Sequence, residues 1–391
     1  MPRSAVVVGG GPAGASAAIG LKRSGLDVTL IEQRTNWQGR INACFLCPEA
    51  VGELGHLGVL EAVRDGGAAD VTNGALTFPG GEPLAFEIRR DGVAGLALPR
   101  QLLEDTLLER ARTEGVTVEM GTKASAVHPD GSRWIVSLRD ARDRTSRRRF
   151  TLVVLADGYH TIAADAAAKP RRGWFGWSAV FAGDRRAPGT LSLHAFPGGY
   201  ASVLTCGESF TAVAGLTWHA RGQTRPWQAE IDDVVERSKS LRDALYGLER
   251  TEDWRGIGPI PFRHNLRIGP GPVAVGDAAA VSDPFIGNGL SRALAAGPLL
   301  ARCVAETGSA DATEIGRVHA RLWNERYAKR LSGSLWIRSL FKSGLAFKIG
   351  EKTVFRRGSV VDRVIMRYLA APDRTPLPPP GAVAPAVVTP L

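Results

Sequence analysis

The chain contains 391 residues, of which 44% are hydrophobic and 23% are charged, values typical of a globular protein with room for two lobes. No run of about 18 apolar residues occurs, so the sequence predicts no membrane-spanning helix. The 4 cysteines are too few for a disulfide framework, and the N-terminus lacks the pattern of a secretory signal. We therefore expect a cytoplasmic protein.

The net charge of +10 is concentrated near the C-terminus, where residues 321–374 contain 13 Lys and Arg residues against 4 Asp and Glu residues. A solvated helical face is the simplest interpretation. Attraction to a membrane surface, to NADPH phosphates or to an acidic carrier protein is the alternative. Nucleic acid is not expected as a partner, because the aromatic residues of this segment have apolar neighbours, as core or interface positions do.

The first predicted elements form a β-α-β unit. The apolar pattern predicts a buried strand at residues 5–8 and a second, parallel strand at residues 28–32. Between them, residues 12–25 are predicted to form a helix rich in Ala and Gly. In the turn after the first strand, three glycines follow the G-x-G-x-x-G pattern, at Gly9, Gly11 and Gly14. Such glycines allow a tight turn, a close approach of backbone to phosphate and close contact between helix and strand. The unit therefore predicts a dinucleotide site.

Polar residues after this turn extend the predicted site. Glu32 ends the second strand, where a carboxylate binds the ribose hydroxyls of a dinucleotide. Arg40 follows in a polar connection and is either a phosphate or cofactor-channel contact or a surface arginine. Cys44 and Cys47 form a C-x-x-C pair without a second pair at zinc-binding spacing. We interpret them as small residues beside the cofactor, with a redox pair as the alternative.

The middle of the first half alternates between helices and strands. Residues 48–63 and 99–115 have the apolar spacing of amphipathic helices. Arg100 lies in the first turn of the second helix, where a cation is poorly placed relative to the helix dipole. An anionic partner would explain it, and a plain exposed arginine is the alternative. Strands are predicted at 116–120, 124–128, 134–138 and 150–155, and a solvated hairpin tip over 139–149.

A second lobe is predicted from residues 173–218, whose alternating pattern and turns indicate an antiparallel sheet. Residues 227–250 are expected to be helical. A buried strand then leads into Gly276-Asp277, and residues 284–291 open an apolar helix that extends to about Val304. The glycines of this loop predict a nest of N–H groups for a negative group. Two phosphate-type loops far apart in the chain imply one long ligand.

These elements indicate an α/β protein with a Rossmann-like domain, an antiparallel β-sheet domain and a C-terminal helical segment. The first domain is predicted to be discontinuous and to comprise residues 1–75, 98–165 and 256–310. The sheet domain is predicted at residues 76–97 and 166–255, the helical segment at 311–372, and a disordered tail at 373–391. Within the helical segment, residues 331–347 are amphipathic and suit a lid over the sheet lobe, a dimer face or a membrane surface.

Together these motifs resemble the FAD-dependent monooxygenase superfamily, which covers hydroxylases of the para-hydroxybenzoate hydroxylase type, geranylgeranyl reductases and flavin-dependent halogenases. The resemblance spans roughly residues 4–305 and includes Ala156-Asp157-Gly158 as the family's Asp-Gly motif. It implies FAD as cofactor and NAD(P)H as transient reductant. The residues implied at the cofactor are Gly9, Gly11, Pro12, Ala13, Gly14, Glu32, Gln33, Arg40, Arg100, Asp157, Gly276, Asp277, Pro284, Gly287, Asn288, Gly289 and Leu290.

The chain departs from individual branches of that superfamily. Tyr159-His160-Thr161 replaces the usual Ser and Arg after Asp-Gly, so no NADPH role is carried over to this motif. Residues 174–177 do not match the W-x-W-x-I-P signature of halogenases, which disfavours halogenation. Residues 199–204 resemble the Gly-Tyr-x-Trp-x-Phe-Pro strand of geranylgeranyl reductases but lack its Trp and Pro, and the loop from Pro284 also leans toward that branch.

The resemblance implies a monooxygenase of secondary metabolism that hydroxylates an aromatic or polyketide-like hydrophobic small molecule through a flavin C4a-hydroperoxide. The alternative is a flavin-dependent reductase of an isoprenoid or enone C=C bond, followed by a halogenase or a non-catalytic flavoprotein. The candidate substrate contacts are His194, Tyr200, His219 and Phe285, with Phe175, Trp177, Phe196 and Trp218 as further candidate pocket aromatics. No general base and no metal site are predicted.

Overall fold

The computed structural model describes residues 3–37, 45–159, 162, 173–183, 189–206, 210–219, 226–262, 271–281, 283–284, 287–309 and 311–342, with only the backbone of 329–341. The strands are β1 (Ser4–Val8), β2 (Asp27–Glu32), β3 (Phe45–Leu46), β4 (Ala69–Val71), β5 (Asn73–Thr77), β6 (Leu84–Glu87), β7 (Arg89–Arg90), β8 (Val93–Ala97), β9 (Thr117–Met120), β10 (Lys123–Asp130), β11 (Arg133–Arg139), β12 (Thr145–Phe150), β13 (Leu152–Leu155), β14 (Gly173–Ala182), β15 (Thr190–Phe196), β16 (Gly199–Cys206), β17 (Phe210–His219), β18 (Glu249–Arg250), β19 (Arg255–Ile257) and β20 (Val273–Ala274).

The helices are α1 (Pro12–Arg23), α2 (Pro48–Leu57), α3 (Leu60–Asp65), α4 (Arg100–Thr113), α5 (Trp227–Arg237), α6 (Lys239–Leu245), α7 (Gly289–Leu294), α8 (Ala296–Thr307) and α9 (Ala312–Lys342). A 3₁₀ turn covers Gly276–Ala278. Within the described ranges, no helix combines the length and the apolar character that a bilayer crossing demands. The predicted tail at 373–391 and the end of the predicted helical segment lie outside the described residues.

A five-stranded parallel sheet with the order β20-β13-β1-β2-β9 confirms the predicted β-α-β unit. Its central strand β1 is buried on both faces, as a continuous apolar run requires. Val7 pairs with Leu30 of β2 on one side and with Val154 of β13 on the other. The carboxyl ends of β1, β13 and β20 therefore meet at one edge of this sheet, where ligands of α/β proteins bind.

The three-stranded sheet β10-β11-β12 corrects one sequence prediction. The predicted hairpin tip over 139–149 is shorter, because Thr145–Phe150 is the edge strand β12, paired with β11. Its arginines lie on an exposed edge, where long charged side chains discourage pairing with another strand. Arg148 and Arg149 form ion pairs with Glu119 and Asp130. A run of arginines therefore forms a strand here, although its composition indicates a loop.

Three predicted helices are each divided in two. The helix expected over 227–250 consists of α5 and α6, which meet at Ser238, and the last residues of that range form strand β18. The helix expected over 48–63 is interrupted at Gly58, which caps α2 in a left-handed conformation. The helix expected to run from the 284–291 loop to Val304 is divided at Ala295 into α7 and α8. Pro298 explains the break at Ala295, since it has no N–H for the carbonyl of Leu294 four residues earlier. That carbonyl instead accepts a hydrogen bond from the Ser16 hydroxyl of α1.

The large sheet contains β18-β14-β17-β16-β15-β5-β6 in order, with β19 also paired to β14. It is antiparallel except for the β15–β5 pair, which agrees with the sheet expected from residues 173–218. Side chains alternate between two faces. The face that we call the inner face includes Leu193, Ala195, Tyr200, Leu204 and Leu216. The outer face includes Trp177, Phe196, Val203 and Val213, and helices α5 and α6 cover it through Ile231 and Leu241.

Candidate functional site

The glycine turn after β1 leaves no room for side chains. Gly9 has φ +106°, and a Cβ on it would lie 2.5 Å from the carbonyl oxygen of Ala156, at the end of β13. A Cβ on Gly14 would lie 1.7 Å from the Gly9 carbonyl oxygen. Helix α1 therefore begins directly on the turn, with Gly11 as its N-cap and Pro12 in its first turn. The arrangement suits the close approach of a pyrophosphate to backbone N–H groups.

Glu32 braces this turn from the end of β2. Its carboxylate is buried, and one oxygen accepts a hydrogen bond from the Gly10 N–H at 2.7 Å. The other oxygen accepts from the Arg34 N–H at 2.8 Å. A carboxylate has about four acceptor positions, so these two bonds leave acceptor capacity for ribose hydroxyls. Gln33 follows on the exposed side of the strand end.

The Asp-Gly and Gly-Asp motifs lie at the ends of neighbouring strands. Asp157 follows β13 and accepts a hydrogen bond from the Ile162 N–H at 2.8 Å. Gly276 follows β20 with φ +57°, and a Cβ on it would lie 2.6 Å from the Cβ of Ala13 in α1. This contact places Asp277 beside the start of α1. Burial, and then the charge of Asp277, raise the pKa of Tyr159 to about 12, so Tyr159 stays a neutral phenol near that carboxylate.

Arg292 is a site residue that the sequence reasoning missed. Its side chain is 2% exposed, and its guanidinium lies 3.8 Å from Asp277 (Nη2 to Oδ1). Nη1 donates a hydrogen bond to the Ala280 carbonyl oxygen at 3.0 Å. Burial lowers the pKa of Arg292, but a guanidinium remains protonated at neutral pH. A lone arginine in an otherwise apolar helix was the signal in the sequence.

The loop before α7 is compact and joins the first motif through α1. The Gly287 N–H donates to the Pro284 carbonyl oxygen at 2.9 Å, and the buried Asn288 caps α7, which covers only 6 residues. Gly289 is exposed and Leu290 is half-buried at its start. In α8, the Gly297 N–H donates to the Ser16 hydroxyl at 2.9 Å. Small residues thus allow α1 to pack against α7 and α8. This packing fixes the glycine turn before α1 and the loop before α7 relative to each other.

The other residues predicted to lie at the cofactor or in the pocket do not all have the same outcome. Arg100 donates a hydrogen bond to the buried Glu104 at 2.9 Å (Nε to Oε1), one turn along α4. Arg100 therefore has an anionic partner within the protein itself. A contact between Arg100 and the cofactor stays a prediction. Arg40 and Phe285 lie outside the described residues, as does Cys44. Cys47 is buried, and burial raises the pKa of its thiol to about 11, so it is not a thiolate at neutral pH.

The structure does not bring the three described substrate candidates together. Tyr200 lies on the inner face and donates a hydrogen bond to the buried Asp283 at 3.1 Å (Oη to Oδ1), directly before Pro284. His194 and His219 belong to the outer face by strand alternation. His194 contacts Ser192 at 3.1 Å, and His219 pairs with Glu230 of α5 at 2.9 Å. Among the aromatic candidates, Trp218 shares the inner face, whereas Trp177 and Phe196 lie in the outer core.

Comparison with known proteins agrees with this architecture. Residues 3–314 match the family described as FAD binding domain. The chain is 25% identical over 351 residues to digeranylgeranylglycerophospholipid reductase 1 of Methanococcoides burtonii, covering 86% of this chain and 83% of that protein. It is 27% identical over 370 residues to menaquinone reductase of Mycobacterium tuberculosis, covering 84% and 81%.

Solved structures have the same fold. The structure of Klebsiella pneumoniae HpxO complexed with FAD and uric acid superposes with a TM-score of 0.77 at 18% identity, covering 95% of this chain and 97% of that one. The family match extends over most of the chain, and the glycine turn, Glu32 and the Asp277–Arg292 pair fit an extended FAD. The chain belongs to the FAD binding domain family and is a flavoprotein of the oxidoreductase type.

Proposed function

We propose that this FAD-binding protein is a reductase that saturates a C=C bond of an isoprenoid lipid. Two curated relatives named as reductases align with more than four-fifths of this chain and of their own length. The names of both describe lipids that carry isoprenoid chains. The proposal takes up the alternative function that the sequence left open, and the strand motif at residues 199–204 points the same way.

The observation that carries the proposal is the contact between Tyr200 and Asp283. It connects strand β16 of the large sheet to the loop that precedes Pro284, at a distance of 3.1 Å between two buried groups. Residues of the inner face around Tyr200 are apolar, among them Leu193 and Leu216. An apolar chain is therefore the type of substrate that this face would accept, with one hydroxyl beside the cofactor loop.

Saturation of a double bond requires one hydride and one proton. FAD, once reduced by an external donor such as NAD(P)H, supplies the hydride when it is bound. Tyr200 donates its hydrogen bond to Asp283, which fixes the position of the hydroxyl. For reduction, this O–H would turn from Asp283 toward the substrate and give its proton to the second carbon, and the phenolate left behind would regain a proton from solvent once the product has left. The inner face excludes water from this position through its apolar side chains.

Hydroxylation of an aromatic substrate is the second candidate. Trp174 and Trp218 form an edge-to-face pair on the inner face, with ring centroids 5.6 Å apart, and such a pair suits an aromatic ring. This reaction consumes O₂ and inserts an oxygen atom, whereas reduction needs no oxygen. The two candidates therefore predict different products under anaerobic conditions.

The test is an anaerobic and aerobic assay of the FAD-loaded protein with NADH or NADPH. A geranylgeranyl-bearing glycerophospholipid, menaquinone and a panel of phenols serve as substrates, and products are analysed by mass spectrometry. We expect a product that has gained two hydrogen atoms without O₂. A product with an added oxygen atom, formed only with O₂, would support hydroxylation instead. Tight FAD binding with no turnover of any substrate would indicate a non-catalytic flavoprotein.

The Tyr200→Phe variant tests the role of the hydroxyl. Because a positioned proton donor contributes about 10²- to 10⁴-fold to a reaction rate, we expect activity to fall by about that factor. Tyr246→Phe is the matched control, since the Tyr246 side chain is 78% exposed. Equal activity of both variants would exclude Tyr200 as the residue that holds the proton.

A further inference from the structure

Helix α9 inserts a buried arginine between two carboxylates of α2. Arg326 lies 2.7 Å from Glu53 and 3.3 Å from Glu49, measured from Nη2 to the Oε1 atoms. The three side chains are 7%, 4% and 7% exposed, respectively. Buried carboxylates are costly without a compensating cation, so Arg326 stabilises both. This contact joins the C-terminal helix to the helix that follows the first cofactor-binding unit.

One of these carboxylates, Glu49, contacts the helix that follows the cofactor loop. The Ser291 hydroxyl of α7 lies 3.3 Å from Oε2 of Glu49 and 3.0 Å from the Asn288 carbonyl oxygen. Ser291 is followed by Arg292, whose guanidinium lies beside Asp277 of the Gly-Asp motif. Contacts thus run from α9 through α2 to α7 and the loop that ends at Gly289.

Charges along this path alternate in sign. In spatial order, the path contains the charged side chains of Asp277, Arg292, Glu49, Arg326 and Glu53. The Glu53 carboxylate also lies 3.4 Å from Nδ1 of His56. The buried Tyr327 adds no charge, because burial raises the pKa of its phenol. Loss of the Arg326 charge would leave Glu49 and Glu53 next to the loop with much less compensation. Negative charge close to a flavin opposes its reduction, since reduction adds electrons.

We propose that Arg326 is a positioning residue for the flavin, which fixes α2 against α7 and offsets the negative charge of Glu49 and Glu53 behind the cofactor loop. Arg326 lies outside the matched FAD-binding family segment, which ends at residue 314, so α9 contributes a part of the site that this segment does not contain. The inference rests on FAD binding and is independent of which reaction the bound flavin supports.

The test compares four variants of the full chain: Arg326→Met, Arg326→Lys, the double variant Arg326→Met with Glu53→Gln, and Arg321→Met. The last is the matched control, since Arg321 is on the same helix, is 50% exposed and pairs with surface acids. Measurements are the FAD dissociation constant by fluorescence and the flavin midpoint potential by spectroelectrochemistry, both without substrate. Neither depends on the reaction, so a failure here is distinct from a failure of the proposed function.

We expect Arg326→Met to weaken FAD binding about tenfold and to shift the midpoint potential to a more negative value. Arg326→Lys should keep the potential, because it keeps the charge. The double variant should have a midpoint potential close to that of the natural chain, because it removes one carboxylate together with the cation. If Arg326→Met does not fold, the single variant Glu53→Gln takes its place: it keeps the cation and removes one carboxylate, so the midpoint potential should become more positive, and an unchanged potential would overturn the proposal.

A readout in the protein itself follows from His56. Its pKa is raised by the hydrogen bond to Glu53 and is lowered by the charge of Arg326. Without that charge, the pKa of His56 measured by NMR should rise, in the apoprotein as well. The proposal is overturned if Arg326→Met matches Arg321→Met in FAD affinity and in potential. It is also overturned if the double variant keeps the shifted potential of Arg326→Met, since Arg326 would then act through shape alone.

Discussion

At the residue scale, Gly9 shows how one position determines whether the cofactor turn can form. Its φ of +106° is unfavourable for any side chain, and its Cα faces the Ala156 carbonyl at the end of the neighbouring strand. Gly25 has a similar φ of +82°, but a Cβ on it would meet nothing within 4 Å. An alanine at Gly25 would therefore cost only the unfavourable backbone conformation, whereas an alanine at Gly9 would also cost the steric clash with Ala156.

We predict that Gly25→Ala lowers the free energy of unfolding by about 1–2 kcal/mol and leaves FAD binding unchanged. Gly9→Ala should cost more and should abolish FAD binding, because its Cβ would lie 2.5 Å from backbone that cannot move away. Thermal denaturation and retention of FAD on gel filtration measure the two effects. Retention of FAD by Gly9→Ala would contradict the proposed position of the pyrophosphate.

At the element scale, α9 connects parts of the molecule that are distant in sequence. Its N-terminal half contributes Ile315, Leu322 and Trp323 to the core beneath the parallel sheet. At its end, the ammonium group of Lys342 lies 4.1 Å from the ring centroid of Trp218 in β17. The predicted position of the C-terminal segment over the sheet lobe agrees with this contact for the described part of the helix.

His319 makes the stability of α9 depend on pH. The residue is 3% exposed, and burial lowers its pKa from 6.5 to about 4. Because the unfolded chain binds the proton more readily, this effect lowers the free energy of unfolding as the pH falls from about 6.5 to 4. The loss is on the order of 3 kcal/mol when the whole window is crossed. His56 has the opposite effect on the free energy of unfolding, because its pKa is raised in the folded protein. The stability that His56 contributes is present at low pH and is lost as the pH rises through that raised pKa.

We therefore expect His319→Leu to reduce the acid sensitivity of the fold. Urea denaturation at pH 7, 6, 5 and 4.5 should show a smaller decrease in unfolding free energy for this variant than for the natural chain. His128→Gln is the control, because His128 is exposed on β10. A parallel decrease in both variants would mean that other groups cause the acid sensitivity.

At the scale of the whole molecule, contacts among the described residues join the large sheet to the cofactor loop and to α9. The hydrogen bond between Tyr200 and Asp283 is one such contact, and Lys342 of α9 over Trp218 of β17 is another. The excess of positive charge lies mainly in residues 321–374. We propose that this segment attracts the protein to an anionic membrane surface, where a lipid substrate would be found, with a dimer contact as the alternative.

The membrane proposal predicts that the protein floats with vesicles of phosphatidylglycerol and phosphatidylcholine but not with vesicles of phosphatidylcholine alone. Each cation near such a surface contributes about 1 kcal/mol, so binding should weaken steeply as salt is added. Absence of flotation with the anionic vesicles at low salt would remove this proposal. Analytical ultracentrifugation of the same samples would then test the dimer.

The sequence by itself determined the β-α-β unit, the glycine turn, the position of Glu32 and the order of the later motifs. These features are local, because the spacing of glycines and the period of apolar residues are properties of short segments. The same reasoning predicted α4 and the antiparallel sheet. It was wrong for the hairpin tip over 139–149, where pairing with β11 outweighs local composition.

Only the tertiary structure decided which side chains meet. Asp277 and Arg292 lie on different elements, as do Tyr200 and Asp283, and Arg326 reaches Glu53 from far along the chain. The faces occupied by His194 and His219 depend on strand register, and a shift of one residue exchanges the two faces of a strand. Register is a non-local property that the spacing of residues cannot supply. The class of cofactor can therefore be predicted from short sequence motifs. The substrate side of the site cannot, because it depends on contacts between segments that are distant in sequence.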